Sequence, residues 1–176
     1  MGTHMGRRII VIGNAGGGKS RLAERLAHSR GIPLYRLDSI QWNPGWVQTP
    51  ETEFRRKHNE LIEREEWILD GVASWDSIVH RIERCDTIVY VDLPLWNHYW
   101  WAGKRQFLCL FRPRPNFVPD CPMLPMTWAL VKMMWCFHKT LRPKLKELIN
   151  LQRDDKYLYV LRSQKEVNNF LHEFCT

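Results

Sequence analysis

The sequence predicts an α/β fold with a mainly parallel sheet, on three observations. Short apolar runs alternate with helix-periodic segments along the whole chain. The first apolar run leads directly into a glycine-rich loop and then an amphipathic helix, the order of a βα unit with a ligand-facing loop. The 176 residues show no repeat and no low-complexity linker, which suits one domain able to bury roughly 70% of its unfolded surface.

The elements follow in order. Ile9-Ile10-Val11-Ile12 reads as the first strand, and a helix over 19–29 carries Leu22, Ala23, Leu26 and Ala27 at helical spacing before Gly31. A second strand over 33–37 ends at Asp38, and Trp42-Asn43-Pro44-Gly45-Trp46 is turn chemistry flanked by aromatics. Thr49-Pro50 reads as an N-cap followed by proline in the first helical position, opening a charged helix to about residue 66. Trp67-Ile68-Leu69 is the third strand and ends in Asp70-Gly71. A short helix near 78–84 leads to the fourth strand, 87–91, ending at Asp92. Helices near 95–109 and 126–148 bracket a loop that holds five prolines between residues 112 and 125. The last strand, 157–161, precedes a helix opened by the capping box Ser163-x-x-Glu166. Residues 1–4 read as a cloning scar, and 5–176 as one domain.

Composition narrows the function. At 44% hydrophobic and 26% charged the chain reads as an ordinary globular protein, but its net charge of +7 is localised. Residues 102–148 hold nine basic side chains (Lys104, Arg105, Arg112, Arg114, Lys132, Lys139, Arg142, Lys144, Lys146) against Asp120 and Glu147. Five cysteines without a C-x-x-C pair argue for free thiols in a reducing, cytoplasmic setting. No apolar run approaches the ~20 residues of a membrane span, so no membrane partner is expected. The seven histidines show no metal-binding spacing, and His80, His98 and His138 read as structural or surface residues.

Gly13-x-x-x-x-Gly18-Lys19-Ser20 fits the phosphate-binding P-loop. Glycines let successive backbone N–H groups converge on a phosphate, and the following helix adds the positive end of its dipole. Gly13, Asn14, Ala15, Gly16, Gly17, Gly18, Lys19, Ser20 and Arg21 are therefore the candidate nucleotide-binding residues. Lys19 would reach the β/γ-phosphates of ATP, and the Ser20 hydroxyl would ligate Mg2+. The Asn-Lys-x-Asp signature of GTPases is absent, and the chain is too short for a helicase or motor core. A kinase-like phosphotransferase or a compact ATPase remains.

Three carboxylates close strands, where such sheets bind ligands. Asp70 is the candidate to hold Mg2+ through water, with Asp92 competing for the role; Asp38 is the candidate to orient or deprotonate an acceptor hydroxyl. Each can alternatively cap a turn. The basic stretch admits three readings. Arg105, Arg112, Arg114 and Arg142 can serve a lid over the transferring phosphoryl group. Lysine and arginine interleaved with Trp96, Tyr99, Trp100, Trp101 and Trp135 can track nucleic acid. The third reading is a solvated helix face with its aromatics in the core, and each Trp taken alone reads as core.

The segments IIVIGNAGGGKS, IPLYRLD with WNPGW, EEWILDG, RIERCDTIVYVDLP, the Arg-Pro-Arg-Pro loop with Asp120-Cys121-Pro122, and YVLRSQKEV resemble the DNA topology modulation (FlaR-related) proteins, an adenylate-kinase-like P-loop family. The resemblance implies a P-loop NTPase three-layer sandwich: five strands ordered 2-3-1-4-5, helices on both faces, and a small basic lid near 102–125. It also implies lid arginines at Arg112 and Arg114, a partner at Arg142, an acceptor-facing Arg81, and adenine near Arg162 and Ser163. This chain departs from the pattern at Val72-Ala73, Asp120 and Met123. The expected activity is ATP- and Mg2+-dependent phosphoryl transfer to a small, nucleotide- or nucleoside-like acceptor, with Lys19, Asp38, Arg112, Arg114 and Arg142 as catalytic residues. A nucleic-acid-associated ATP-binding protein and a simple ATPase are the alternatives.

Overall fold

Ile9, Ile10, Val11 and Ile12 are all fully buried, because the strand they form is covered by helices on both faces. The computed structural model describes residues 4–111, 117–152 and 155–175. Its elements are β1 (Arg8–Gly13), α1 (Lys19–Arg30), β2 (Leu34–Arg36), α2 (Leu37–Gln41), β3 (Trp42–Asn43), β4 (Val47–Gln48), α3 (Glu51–Ile62) and β5 (Trp67–Asp70). There follow α4 (Trp75–Arg84), β6 (Thr87–Val91), α5 (Leu95–Leu108), α6 (Thr127–Cys136), α7 (Arg142–Leu151), β7 (Tyr157–Leu161) and α8 (Gln164–Phe174).

The main sheet is parallel throughout, in the order β2-β5-β1-β6-β7. Alternate residues of β1 feed two cores. Ile9 and Val11 pack with Leu22 and Leu26 of α1 and with Phe170 and Phe174 of α8. Ile10 and Ile12 pack on the opposite face with Ile78 and Ile82 of α4 and Leu145 and Ile149 of α7. The register pairs Val11 with Asp70 and Gly13 with Val91, so the ends of β5 and β6 flank the glycine-rich loop.

Several local expectations change. The WNPGW turn is part of an antiparallel hairpin, β3-β4, closed by a 3-10 turn over Pro44–Trp46. Thr49 does not cap α3. Its backbone N–H donates to Gln41 O (2.9 Å), its hydroxyl accepts from Asn43 Nδ2 (3.2 Å), and Pro50 takes the N-cap position. The helix expected over 126–148 is broken by a π-helical turn, Phe137–Leu141, just before Pro143, which has no N–H to continue the α-helical ladder. The capping box of α8 is present: Ser163 Oγ accepts from the Glu166 N–H (3.2 Å), and Glu166 Oε2 accepts from the Arg162 N–H (2.9 Å).

The aromatics also redistribute. Trp67 is fully buried, whereas Trp96, Trp100 and Trp128 are each 67% exposed, and Trp101 and Trp135 are exposed as well. The expectation that each Trp is a core residue is therefore wrong for these five. They lie on α5 and α6, whose inner faces meet the glycine-rich loop through His98, Ala102 and Met134.

His58 of α3 is buried and stacks on Phe54 with ring centroids 5.8 Å apart. Burial, with the Arg81 and His80 charges, pushes its pKa down to about 4 against the opposing hydrogen bond to Asn59. The unfolded chain therefore binds this proton first, and stability drains away as pH falls from about 6.5 towards about 4. His58→Leu removes the titration. Urea unfolding across pH 7 to 4 should show wild type losing about 2 kcal/mol more than the variant, allowing for partial solvent screening. Parallel pH profiles would contradict the assignment.

Candidate active site

The loop from Gly13 to Ser20 joins the end of β1 to the start of α1, and its backbone requires glycine at two places. Gly13 has φ +142°, and a Cβ there would lie 2.2 Å from the Val91 carbonyl oxygen. Gly16 has φ +75°, and a Cβ there would lie 2.4 Å from the His98 carbonyl oxygen. The loop is also clamped from outside. Asn14 is buried; its Nδ2 donates to Met134 O (2.9 Å) and its Oδ1 accepts from the Ala15 N–H (2.8 Å). His98 Nδ1 lies 2.9 Å from Ala15 O, so the nitrogen facing that carbonyl carries the proton. Burial and the Lys19 charge hold the His98 pKa below its ordinary value against that hydrogen bond. Lys19 Nζ donates to Asn14 O (2.7 Å), which places the ammonium at the loop.

Asp70 ends β5 and is almost wholly buried. Its Oδ1 has no hydrogen-bond partner among the described residues, while the Ser20 hydroxyl bonds to the carboxylate and Lys19 lies near it. Burial pushes the Asp70 pKa up and the Asp38 carboxylate adds to this; Lys19, Ser20 and Arg36 pull the other way without cancelling it. A dry carboxylate oxygen beside a P-loop hydroxyl is the donor set that a hydrated Mg2+ fits. Asp38 does not close β2, which stops at Arg36; it lies in the first turn of α2. Arg36 pairs in register with Asp70 and forms an ion pair with Glu24.

Asp92 has another fate. Arg142 grips it with Nε on Oδ1 (2.6 Å) and Nη2 on Oδ2 (3.1 Å), Lys146 Nζ lies 2.8 Å from Oδ2, and the Tyr90 hydroxyl donates to Oδ1 (3.2 Å). Burial raises the Asp92 pKa, but these two cations outweigh it and hold the carboxyl below its ordinary value. With both oxygens engaged, Asp92 anchors α7 to the sheet. Arg142 correspondingly sits on Asp92, not extended over the P-loop. Arg21 is exposed in the first turn of α1, and Arg162 is exposed immediately after β7. Arg112 and Arg114 lie outside the described residues.

Arg81 departs from the acceptor-facing position that the resemblance implies. It is completely buried, donating Nη1 to Gly71 O (2.8 Å), Nη2 to Val72 O (2.5 Å) and Nε to Ser77 O (2.9 Å). Burial lowers its pKa to about 9. It ties down the turn after Asp70, where Ala73 takes the left-handed φ of 53°. Sequence reasoning left His98 between a structural and a surface role, and it missed Arg81 as the support of the turn after Asp70. The available signal was a cation at an apolar-face position of α4, in the series Ile78, Arg81, Ile82 and Cys85, and a histidine in line with Ala102 and Gln106 on α5.

The β3-β4 hairpin meets the second half of the proline-rich loop. The Gly45 N–H donates to Asp120 O (3.1 Å), Trp46 Nε1 donates to Pro122 O (3.0 Å), and the Trp46 and Phe117 rings lie 5.3 Å apart. Asp120 has φ 54°, a left-handed conformation that aspartate tolerates better than most non-glycine residues.

The chain matches no protein-family model and no curated protein sequence. Solved structures match its fold. Shikimate kinase from Acinetobacter baumannii in complex with shikimate aligns over 96% of this chain and 90% of its own, at 16% identity and a TM-score of 0.62. A gluconokinase from Sinorhizobium meliloti aligns over 97% and 89%, at 16% identity and a TM-score of 0.52. A sugar kinase from Janibacter sp. aligns over 96% and 94%, at 14% identity and a TM-score of 0.51. The chain shares the fold of these three structures.

The Asp70 geometry has a stability consequence. A carboxyl with a raised folded-state pKa is held protonated more tightly in the folded chain, so its ionisation destabilises the fold as pH rises above about 4. Asp70→Asn should melt a few degrees higher than wild type at pH 7, about 2–4 °C per kcal/mol relieved, and lose that advantage near pH 4. Thermal unfolding without nucleotide checks this; a lower Tm at pH 7 would contradict it.

Proposed function

We propose that the chain is an ATP- and Mg2+-dependent phosphotransferase for a small hydroxylated acceptor, of nucleotide or nucleoside type. The observation that carries the proposal is Asp70, a buried carboxylate with an unpartnered oxygen, set against Ser20 and Lys19 at the mouth of a P-loop. Such a group costs stability and has a use only if a cation or polar ligand completes it.

In this reading the backbone N–H groups of Gly13–Ser20 bind the β-phosphate, and Lys19 neutralises oxygens of the β- and γ-phosphates. Ser20, with Asp70 acting through water, holds Mg2+, which supplies charge neutralisation along the triphosphate when bound. Asp38, in the first turn of α2 and near enough to Asp70 to raise its pKa, orients the acceptor hydroxyl and takes its proton as the oxygen attacks the γ-phosphorus. The bond from that phosphorus to the bridging oxygen breaks, and ADP leaves. Arg112 and Arg114 supply lid cations to the transferring group. Arg142 acts through Asp92, fixing α7 behind the site, and Arg162 borders the adenine. His98 and Arg81 keep the loop and the Asp70 turn in place. The motif resemblance to the adenylate-kinase-like DNA topology modulation proteins and the shared fold of small-molecule kinases support this reading.

ADP release from Mg-ATP tests it, measured with a panel of nucleosides, nucleoside monophosphates and small hydroxy acids. One acceptor class should stimulate turnover, and Lys19→Ala should cut the stimulated rate by about 10²–10³-fold, as expected for removing a transition-state charge contact. ADP release that no acceptor stimulates would identify a simple ATPase. Turnover unchanged in Lys19→Ala would remove the P-loop from the chemistry.

A further inference from the structure

The outer face of α5 and α6 takes no part in the phosphate site, yet it carries most of the exposed aromatic surface. At about 100° per residue, Trp96, Trp100, Gly103 and Phe107 fall on one line of α5, with Trp101, Lys104 and Leu108 beside it. On α6 the corresponding line is Trp128, Lys132 and Trp135, continued by Lys139 in the π-helical turn. The helices run antiparallel. Gln106 Nε2 donates to Thr127 Oγ1 (2.9 Å) at one end, and the P-loop is held between His98 and Met134 at the other. A groove of about 310 Å3 runs between them, lined by Tyr99, Ala102, Gly103, Leu130 and Val131 among others. Gly103 and Val131 lie on the sides of their helices that turn towards the two tryptophan lines, so both lines border the same groove.

Three tryptophans carry a lysine ammonium over the ring: Lys104 on Trp101 (5.4 Å), Lys132 on Trp128 (5.6 Å) and Lys139 on Trp135 (5.1 Å). Neither α5, α6 nor the π-helical turn contains a single Asp or Glu. We propose that this face docks on the surface of an anionic phospholipid bilayer, with the tryptophans and Phe107 at the headgroup–acyl boundary and the lysines among the phosphates.

The chemistry separates this occupant from two others. A second copy of the chain would bring Lys104, Lys132 and Lys139 against like charges with no carboxylate on the face to receive them. A nucleic acid would use the cations and the indoles, but it gains nothing from the exposed aliphatic Leu108. An anionic interface uses all three: indoles at the headgroups, apolar side chains below them, and lysines that bury their stems while keeping their charge in water. No helix among the described residues is long and apolar enough to cross a membrane, so the contact is peripheral. It revises the sequence expectation of no membrane partner, which rested on spans alone.

The test uses the full chain with vesicles of phosphatidylglycerol and phosphatidylcholine against vesicles of phosphatidylcholine alone, followed by co-sedimentation and tryptophan emission. Binding should require the anionic lipid, and emission should shift to the blue and be quenched by lipids brominated on the acyl chain. Lys104→Gln/Lys132→Gln/Lys139→Gln should weaken binding about 10²-fold, from about fivefold per lysine near an anionic surface. Trp100→Ser/Trp128→Ser/Trp135→Ser should abolish it with Tm unchanged, because those side chains are exposed. If the serine variant does not fold, the lysine variant and quenching of the wild type decide the matter. Three results would each overturn the proposal: no vesicle binding, equal binding to both vesicle types, or duplex or single-stranded DNA binding or self-association in place of vesicle binding.

Discussion

A parallel sheet covered on both faces must be apolar along its strands, so polar chemistry is confined to the strand ends. That constraint organises this protein. Between Arg8 and Thr87 at their starts and Gly13, Asp70 and Asp92 at their ends, β1, β5 and β6 carry apolar side chains and Tyr90, whose hydroxyl reaches out to Asp92. Because β1 lies between β5 and β6 and the chain crosses over on opposite sides of it, those three ends gather at one crevice. The phosphate loop, a buried acid and an anchored acid are what the chain places there.

The buried ionisable groups at this edge are handled in different ways, and the contrast defines the site. Asp92 receives two cations and a phenol, which makes it a structural clasp between β6 and α7. Arg81 has no carboxylate partner in hydrogen-bonding range among the described residues and is satisfied by backbone carbonyls, which fixes the turn after β5. Asp70 keeps one carboxylate oxygen dry and, among the described residues, unpartnered. The neighbouring groups that stabilise its charge do not offset its burial, so the folded chain holds an acid that is stabilised by an incoming ion.

Much of the sheet was legible because strand and helix periods differ and because the P-loop has a strict local chemistry. The positions of Asp70 and Asp92 at strand ends were legible for the same reason. Their different roles were not, since these depend on Arg142 and Lys146 arriving from a helix 50 residues away. The π-helical turn before Pro143 was hidden within a continuous apolar and basic pattern. Asp38 was misplaced by two residues because α2 begins directly after a three-residue strand. For the tryptophans the sequence leaves a core role and a partner-facing role both open, because a Trp stripe looks the same whether it faces a core or a partner. Their cation pairing at i, i+3 and i, i+4 was visible in the sequence and was the better signal.

In the proposed function Asp70 and Ser20 complete a cation site at the P-loop. Calorimetric titration of ATP with and without Mg2+, on wild type and Asp70→Asn, tests it most directly. Mg2+ should tighten ATP binding in the wild type, and the variant should lose this enhancement while keeping its Mg-free affinity. An Asp70→Asn protein that binds Mg-ATP as tightly as wild type would contradict it.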